Sequence, residues 1–363
     1  MTLRDSEFGP RAVIDTDALK HNLSVVRLRA PQSKVMAVVK ANAYGHGIVP
    51  TARALIGADA FGVARLPEAL ALRAAGLAHP IVLLEGVFSR DEIDAAAAHR
   101  LEIVVHSFEQ LDLLERWRGS RTLRAWIKID TGMNRLGFRL DDFALALQRL
   151  RACTALRDAP RLMTHLACAD AIDDARTNTQ IARFRKIADV LRLERSIANS
   201  AGLLAWPDAR VEWVRPGLML YGIAPFSAQM GAELGLRAAM TLATRLIAIR
   251  NVAIGEQAGY GGTWQATRES RIGIAAIGYG DGYPRQLRSG APVRVRNREL
   301  KIAGRVSMDM IAIDLEDFTD AQIGDVVTLW GGLLPVERVA DAAGTIPYEL
   351  VCGISQRVTV EYR

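Results

Sequence analysis

The chain has 363 residues, 50% hydrophobic and 24% charged, the profile of a soluble globular protein long enough for two domains. Its net charge of +6 comes from 46 basic residues dispersed among 40 acidic ones, with no basic run interleaved with aromatics, so no nucleic-acid partner is expected. The opening MTLRDSEFGP lacks an apolar core, and no apolar run nears the roughly 18–20 residues that span a bilayer, so neither a secretory signal nor a membrane span is expected.

A helix over Asp17–Arg29, introduced by Asp15 and Thr16, precedes a series in which β-branched runs alternate with amphipathic segments. The expected strands are Val35–Val39, Ala60–Ala64, Ile81–Glu85, Glu102–His106, Ala125–Asp130, Leu162–Leu166, Ser196–Asn199 and Val214–Tyr221. Between them helices are expected over Pro67–Ala75, Asp91–His99, Phe108–Arg118, Asp141–Arg151 and Thr177–Leu193, with start signals at Pro67 and Ser89. This order suits a parallel (β/α)8 barrel. A doubly wound open sheet is less favoured, because no GxGxxG follows the first strand. Beyond about residue 236 helical spacing nearly vanishes. Strand-like runs follow at Thr241–Val252, Ser270–Gly278, Val293–Arg296, Leu300–Ala303, Met310–Asp314, Val326–Leu329 and Arg357–Tyr362. The fold class expected is therefore an α/β barrel over residues 1–235, followed by an all-β domain over 236–363 onto which the first ten or so residues could pack. Cys153, Cys168 and Cys352 are odd in number and share no CxxC spacing, which suits free thiols in a cytoplasmic protein and no metal site.

The run Val35-Met-Ala-Val-Val39 is continuously apolar, as a strand buried on both faces should be, and it leads into Lys40. In barrels of this kind the active site lies at the C-terminal ends of the strands. A lysine there can act as a nucleophile toward an aldehyde once partial burial and neighbouring cations lower its ordinary pKa of about 10.4.

The segment Ala37-Val-Val-Lys-Ala-Asn-Ala-Tyr-Gly-His-Gly47 resembles the cofactor-lysine motif of the alanine racemases, the fold type III family of pyridoxal-phosphate enzymes. Further motifs follow in the family's order over nearly the whole chain. The resemblance implies that Lys40 carries pyridoxal 5'-phosphate. It also implies that Tyr44, Ser200 in Ala198-Asn-Ser-Ala201, Gly217, Leu218 and Tyr348 surround the phosphate. Gly217, lacking a Cβ, permits close backbone approach.

By the same resemblance Arg215 meets the pyridine nitrogen. Arginine stays protonated, so it keeps that nitrogen unprotonated and the ring a weaker electron sink, which favours reprotonation at the α-carbon over transamination. His165 in Met163-Thr-His-Leu-Ala is implied near the ring, and Arg135 is implied to bind the cofactor's phenolic oxygen and the substrate carboxylate. Lys128, inside an apolar strand in Trp126-Ile-Lys-Ile-Asp, matches a lysine that relatives can carbamylate, and it would orient Arg135.

Racemisation removes a proton from one face of the α-carbon and returns it to the other, a task simplest with two bases. Lys40 would serve one face. The resemblance assigns the other to Tyr260, in Gly255-Glu-Gln-Ala-Gly-Tyr-Gly-Gly262, reaching the cofactor of a partner subunit in a homodimer with shared active sites. It further implies that the Met308 backbone N–H meets the substrate carboxylate, and that Tyr279, Asp170 and Arg285 line an entrance channel. Ser307 stands where many relatives have Cys, which leaves this chemistry untouched. The activity implied is interconversion of L- and D-alanine. A decarboxylase of the same architecture and a non-catalytic cofactor carrier are the rival readings. The first usually needs a catalytic cysteine, for which only Cys352 is placed, and the second would be a lone barrel.

Overall fold

A computed structural model describes residues 8–316 and 318–363 of the chain. These divide into two compact units. One comprises Lys20–Leu220 with Pro225–Ser227, and the other the segment ending at Leu19, Tyr221–Ala224 and Ala228–Arg363.

The first unit is a closed barrel of eight parallel strands: Lys34–Val38, Ala60–Val63, Ile81–Leu83, Glu102–Val105, Arg124–Lys128, Arg161–Met163, Arg195–Ser196 and Trp213–Val214. Closure comes from the first strand pairing with the last, Lys34 opposite Trp213 and Val35 opposite Val214. Its interior is filled by a layer of Met36, Ala60, Val82, Val104, Trp126, Met163 and Trp213, so the barrel is a packed core and not a pore. Helices start where the sequence signals them. Ser89 caps Arg90–Ala98 by accepting from the Glu92 amide at 3.2 Å, and Pro67 lies in the first turn of Leu66–Ala74.

Several expected strands end early, among them Ile81–Leu83, Arg124–Lys128, Arg161–Met163 and Ser270–Ala275, and two of the shortened strands bear on the site. The run expected to reach Asn199 is a strand only through Ser196, and Asn199 instead caps the helix Ser200–Ala205. The run expected to reach Tyr221 is a strand only over Trp213–Val214, because Pro216 has no N–H for a ladder and the chain turns into a 3-10 segment at Leu218–Tyr221.

The N-terminal ends of the strands are closed by a charged and aromatic plug. Arg161 lies over the rings of Trp126 and Trp213, 5.3 and 5.4 Å from their centroids, and donates to Glu102 at 2.7 Å and to Glu194 at 2.6 Å. The indole N–H groups of Trp126 and Trp213 donate to the same two carboxylates. Burial alone would raise the Glu194 carboxyl, but hydrogen bonds from Lys34, Trp213 and Arg161 outweigh it and hold the group at about 2. A depressed carboxyl pKa contributes stability that is present above its unfolded value and lost as pH falls through the folded one. The plug should therefore weaken between about pH 4.5 and pH 2. Replacing Arg161 with Met leaves the buried Glu102 with only the more distant Arg124, 3.9 Å away, as its cation and is expected to cost about 3 kcal/mol. The check is a lower urea midpoint at unchanged m-value.

The second unit is an eight-stranded sheet in the order Ser270–Ala275, Ile311–Asp314, Arg298–Ile302, Pro292–Val295, Val326–Trp330, Met240–Val252, Arg11–Ile14 and Thr359–Tyr362. Arg11–Ile14 runs antiparallel to Met240–Ala243 and parallel to Thr359–Tyr362, so the N-terminal strand belongs to this sheet. Of the first ten residues, 1–7 lie outside the described residues, while the Pro10 carbonyl accepts from the Thr359 amide at 3.2 Å. The unit also carries two short helices that the sequence reading omits, Val336–Ala343 and Pro347–Cys352. No helix among the described residues is long and apolar enough to cross a membrane.

Candidate active site

The first barrel strand is held on both sides where it ends, the Val38 amide donating to Pro216 O at 3.0 Å and the Val39 amide to Gly62 O at 2.9 Å. Lys40 follows, and then the chain makes a left-handed turn: Ala41, Asn42, Ala43 and Tyr44 all have φ between 52° and 53°. That conformation costs roughly 1–2 kcal/mol per ordinary residue. Glu68 helps to hold the strained turn in place by accepting from the Ala41 amide at 2.6 Å and the Ala64 amide at 2.8 Å. Asn42 accepts from the Ile48 amide, and Gly45 and Gly47 complete the return with amides on Ala41 O and Asn42 O. Glu68 has no local sequence signal for this task beyond its place in the helix start.

Where the last barrel strand breaks off, the amides of Gly217 and Met219 both donate to Ser200 Oγ, at 3.0 and 3.3 Å. With both lone pairs of that oxygen engaged, its remaining capacity is to donate. Ser200 is not the helix cap, since Asn199 holds that place. Gly217 is required by crowding rather than by φ, because a Cβ there would stand 2.6 Å from the Tyr44 hydroxyl. Leu218 is buried beside it.

Arg215 is 4% exposed. Its guanidinium donates to Ser196 Oγ and Thr164 O, both at 2.5 Å, to Ile197 O at 3.3 Å and toward His165 Nδ1 at 3.4 Å. All these partners are neutral, and among the described residues no carboxylate forms a salt bridge with it. Burial lowers it to about 10, still fully protonated at neutral pH. His165 is pushed well below its ordinary value, first by burial and then by Arg215, Lys128, Arg135 and Lys40, so its ring is neutral. An Arg215 N–H facing Nδ1 favours the tautomer that carries the ring proton on Nε2.

Lys128 ends its strand 7% exposed. Burial, then Arg215, Arg135 and Lys40, bring it down to about 8, against a weaker opposing pull from Asp130. Among the described residues no carboxylate forms a salt bridge with Lys128. Arg135 is exposed on the following loop, which Asp130 cinches by accepting from the amides of Gly132, Met133 and Asn134. Gly137 lets that loop close, since a Cβ there would stand 2.6 Å from the Asp130 nitrogen. Buried Gln180 ties this loop to the histidine loop, donating to Thr131 Oγ1 at 3.2 Å and His165 O at 3.0 Å. Asp130 and Gln180 are positioning groups the sequence reading missed. Asp170 is exposed on the same unit.

Lys40, Lys128, Arg135, Arg215 and His165 thus share one field at the strand ends, where Asp130 opposes the cations at Lys128 more weakly than they act on it. That excess of positive charge, next to a hydroxyl donor braced by two amides, fits a small polyanionic group.

The other expected residues lie in the second unit. Tyr260 opens a turn between Gly259 and Gly261, both at positive φ, and is 72% exposed. Tyr279 is partly exposed with the Arg285 guanidinium 5.9 Å over its ring, and Met308 is exposed on the loop against which Tyr279 packs. Tyr348 lies in the first turn of Pro347–Cys352.

A (β/α)8 barrel that gathers lysines and arginines at its strand ends, joined in one chain to a β unit with exposed tyrosines, defines a two-domain barrel enzyme. Family models described as "Alanine racemase, N-terminal domain" and "Alanine racemase, C-terminal domain" match residues 14–225 and 239–362. The chain belongs to the alanine racemase family, a family of isomerases. It is 53% identical over 349 residues to an alanine racemase of Nitrosococcus oceani, covering 96% of this chain and 98% of that one. Among solved structures it resembles a biosynthetic alanine racemase from Pseudomonas aeruginosa, with TM-score 0.94 and 43% identity, covering 98% of this chain and 99% of that one. It also resembles one from Bacillus anthracis with bound L-Ala-P, with TM-score 0.88 and 30% identity, covering 100% and 96% of the two chains.

Proposed function

We propose that the protein interconverts L-alanine and D-alanine with pyridoxal 5'-phosphate, by a two-base mechanism. The observation that carries this reading is the cluster of Lys40, Lys128, Arg135 and Arg215 around a neutral His165, which Asp130 offsets only weakly at Lys128. Bound there, the cofactor would supply an electron-withdrawing ring that acidifies the α-hydrogen of an amino acid. The Ser200 hydroxyl, the backbone at Gly217 and Leu218, Tyr44 and Tyr348 would hold its phosphate. Arg215, protonated and lacking a carboxylate, would donate to the ring nitrogen and keep that atom from taking a proton.

Lys40 would hold the cofactor through its amine and, when that amine is free, take or return the α-proton on one face. Tyr260 of the partner subunit would serve the other face in a homodimer with shared sites. Its large exposure in a single chain suits a residue that another subunit covers. The Nε2–H of neutral His165 would stabilise its phenolate, without which a phenol near pKa 10 is a poor base. Arg135 and the Met308 amide would grip the substrate carboxylate, while Tyr279, Asp170 and Arg285 would form the entrance. At a pKa of about 8, Lys128 has a substantial neutral fraction near that pH, the form that combines with carbon dioxide, and carbamylation would turn it into an anion able to orient Arg135. A cytoplasmic location is part of the proposal.

The test is to incubate each alanine enantiomer with the holoenzyme in heavy water. The expected result is the opposite enantiomer bearing deuterium at the α-carbon, with no carbon dioxide evolved. Carbon dioxide release would support the decarboxylase reading instead, and failure to exchange would leave only a carrier.

A further inference from the structure

We infer that Arg357 is a positioning residue for the substrate end of the site, clamping the loop that bears Tyr279 to the loop that bears Met308. The inference rests on the proposed function for those two residues, but the clamp itself is geometry within one unit. The two loops already touch through their backbones: the Tyr279 amide donates to Ser307 O at 3.0 Å and the Gly280 amide to Met308 O at 2.9 Å. Glycine is needed at this seam, since a Cβ on Gly278 would stand 2.3 Å from the carbonyl oxygens of Ser307 and Met308.

Each loop ends in an aspartate, and one guanidinium meets both. Arg357 Nη2 donates to Asp309 Oδ1 at 2.7 Å, and Arg357 Nε lies 3.2 Å from Asp281 Oδ1. The two aspartates are not equivalent. Asp309 is exposed, whereas Asp281 is buried and folds its own loop by accepting from the Gly278 amide at 2.9 Å. Gly280 leaves room for the arginine, because a Cβ there would stand 2.4 Å from Nη1. A planar fork with N–H groups on separate nitrogens can span two carboxylates on two loops, and a lysine ammonium is a single point. Freed from this brace, the Met308 loop would present its amide to a carboxylate over a range of positions. That contact is made in ground state and transition state alike, so its loss should appear in KM rather than in kcat.

Two variants test the clamp. Arg357→Lys keeps the charge and loses the fork. Asp309→Asn removes one arm while leaving the buried Asp281 with its cation, and so protects against a folding failure. Both are expected to raise KM for alanine by about tenfold with kcat within about twofold, and to speed hydrogen exchange at the Tyr279 and Gly280 amides. Unchanged KM and unchanged amide protection in both variants would overturn the clamp. A wild-type enzyme inert toward alanine would instead overturn the proposed activity, and amide exchange would still report on the clamp.

Discussion

Replacing Lys40 with alanine is expected to lower turnover by roughly four orders of magnitude or more, because one residue then fails both as covalent anchor and as base. The fold should survive the change. Lys40 is not among the left-handed residues of its turn, which begin at Ala41, so alanine meets no backbone conflict there. The Glu68 and Asn42 hydrogen bonds that hold the turn do not involve the lysine side chain. Thermal unfolding of the apoprotein should therefore match the wild type while activity and the absorbance of covalently held cofactor both vanish. Residual turnover within about a hundredfold of wild type would remove Lys40 from the chemistry.

Tyr260→Phe should instead split the two directions of the reaction. Its loss deprives one face of the α-carbon of its base, so α-proton exchange from one enantiomer should fall by roughly two to four orders of magnitude, and from the other by much less. Because the side chain is largely exposed, stability of the single chain should change little. The neutral state imposed on His165 adds a condition on pH: exchange should show no inflection near its ordinary value of 6.5. Equal losses for both enantiomers would falsify the assignment of two bases to two faces.

Sequence periodicity is enough for the barrel because its strands are short, mostly buried apolar runs separated by amphipathic helices, and each strand is placed by local pattern. It overran at Asn199 and at Pro216-Gly217, where apolar character continues but the backbone leaves the ladder to serve Ser200. Those departures coincide with the proposed phosphate cradle, as expected where function overrides propensity. The helix Val336–Ala343 was missed although Val336, Val339, Ala340 and Ala343 follow helical spacing and Gly344 ends it at φ 67°. The strand-rich surroundings masked an ordinary signal. Glu68, Asp130, Gln180 and Arg357 had no comparable signal. Glu68 reaches from its helix start to the distant Ala41 amide, Gln180 and Arg357 reach backbone or carboxylates distant in sequence, and Asp130 braces a turn that only the folded loop reveals. The candidate site residues are legible in the sequence chiefly through motif resemblance. Their electrostatic coupling, above all the displaced pKa values of Lys128 and His165, required the fold.

The central claim is that one particular amine holds the cofactor. The chain has six lysines, Lys20, Lys34, Lys40, Lys128, Lys186 and Lys301, so borohydride reduction of the holoenzyme followed by peptide mapping can tell them apart. A single reduced pyridoxyl adduct is expected, on the peptide containing Lys40. An adduct on any of the other five, or none at all, would contradict it.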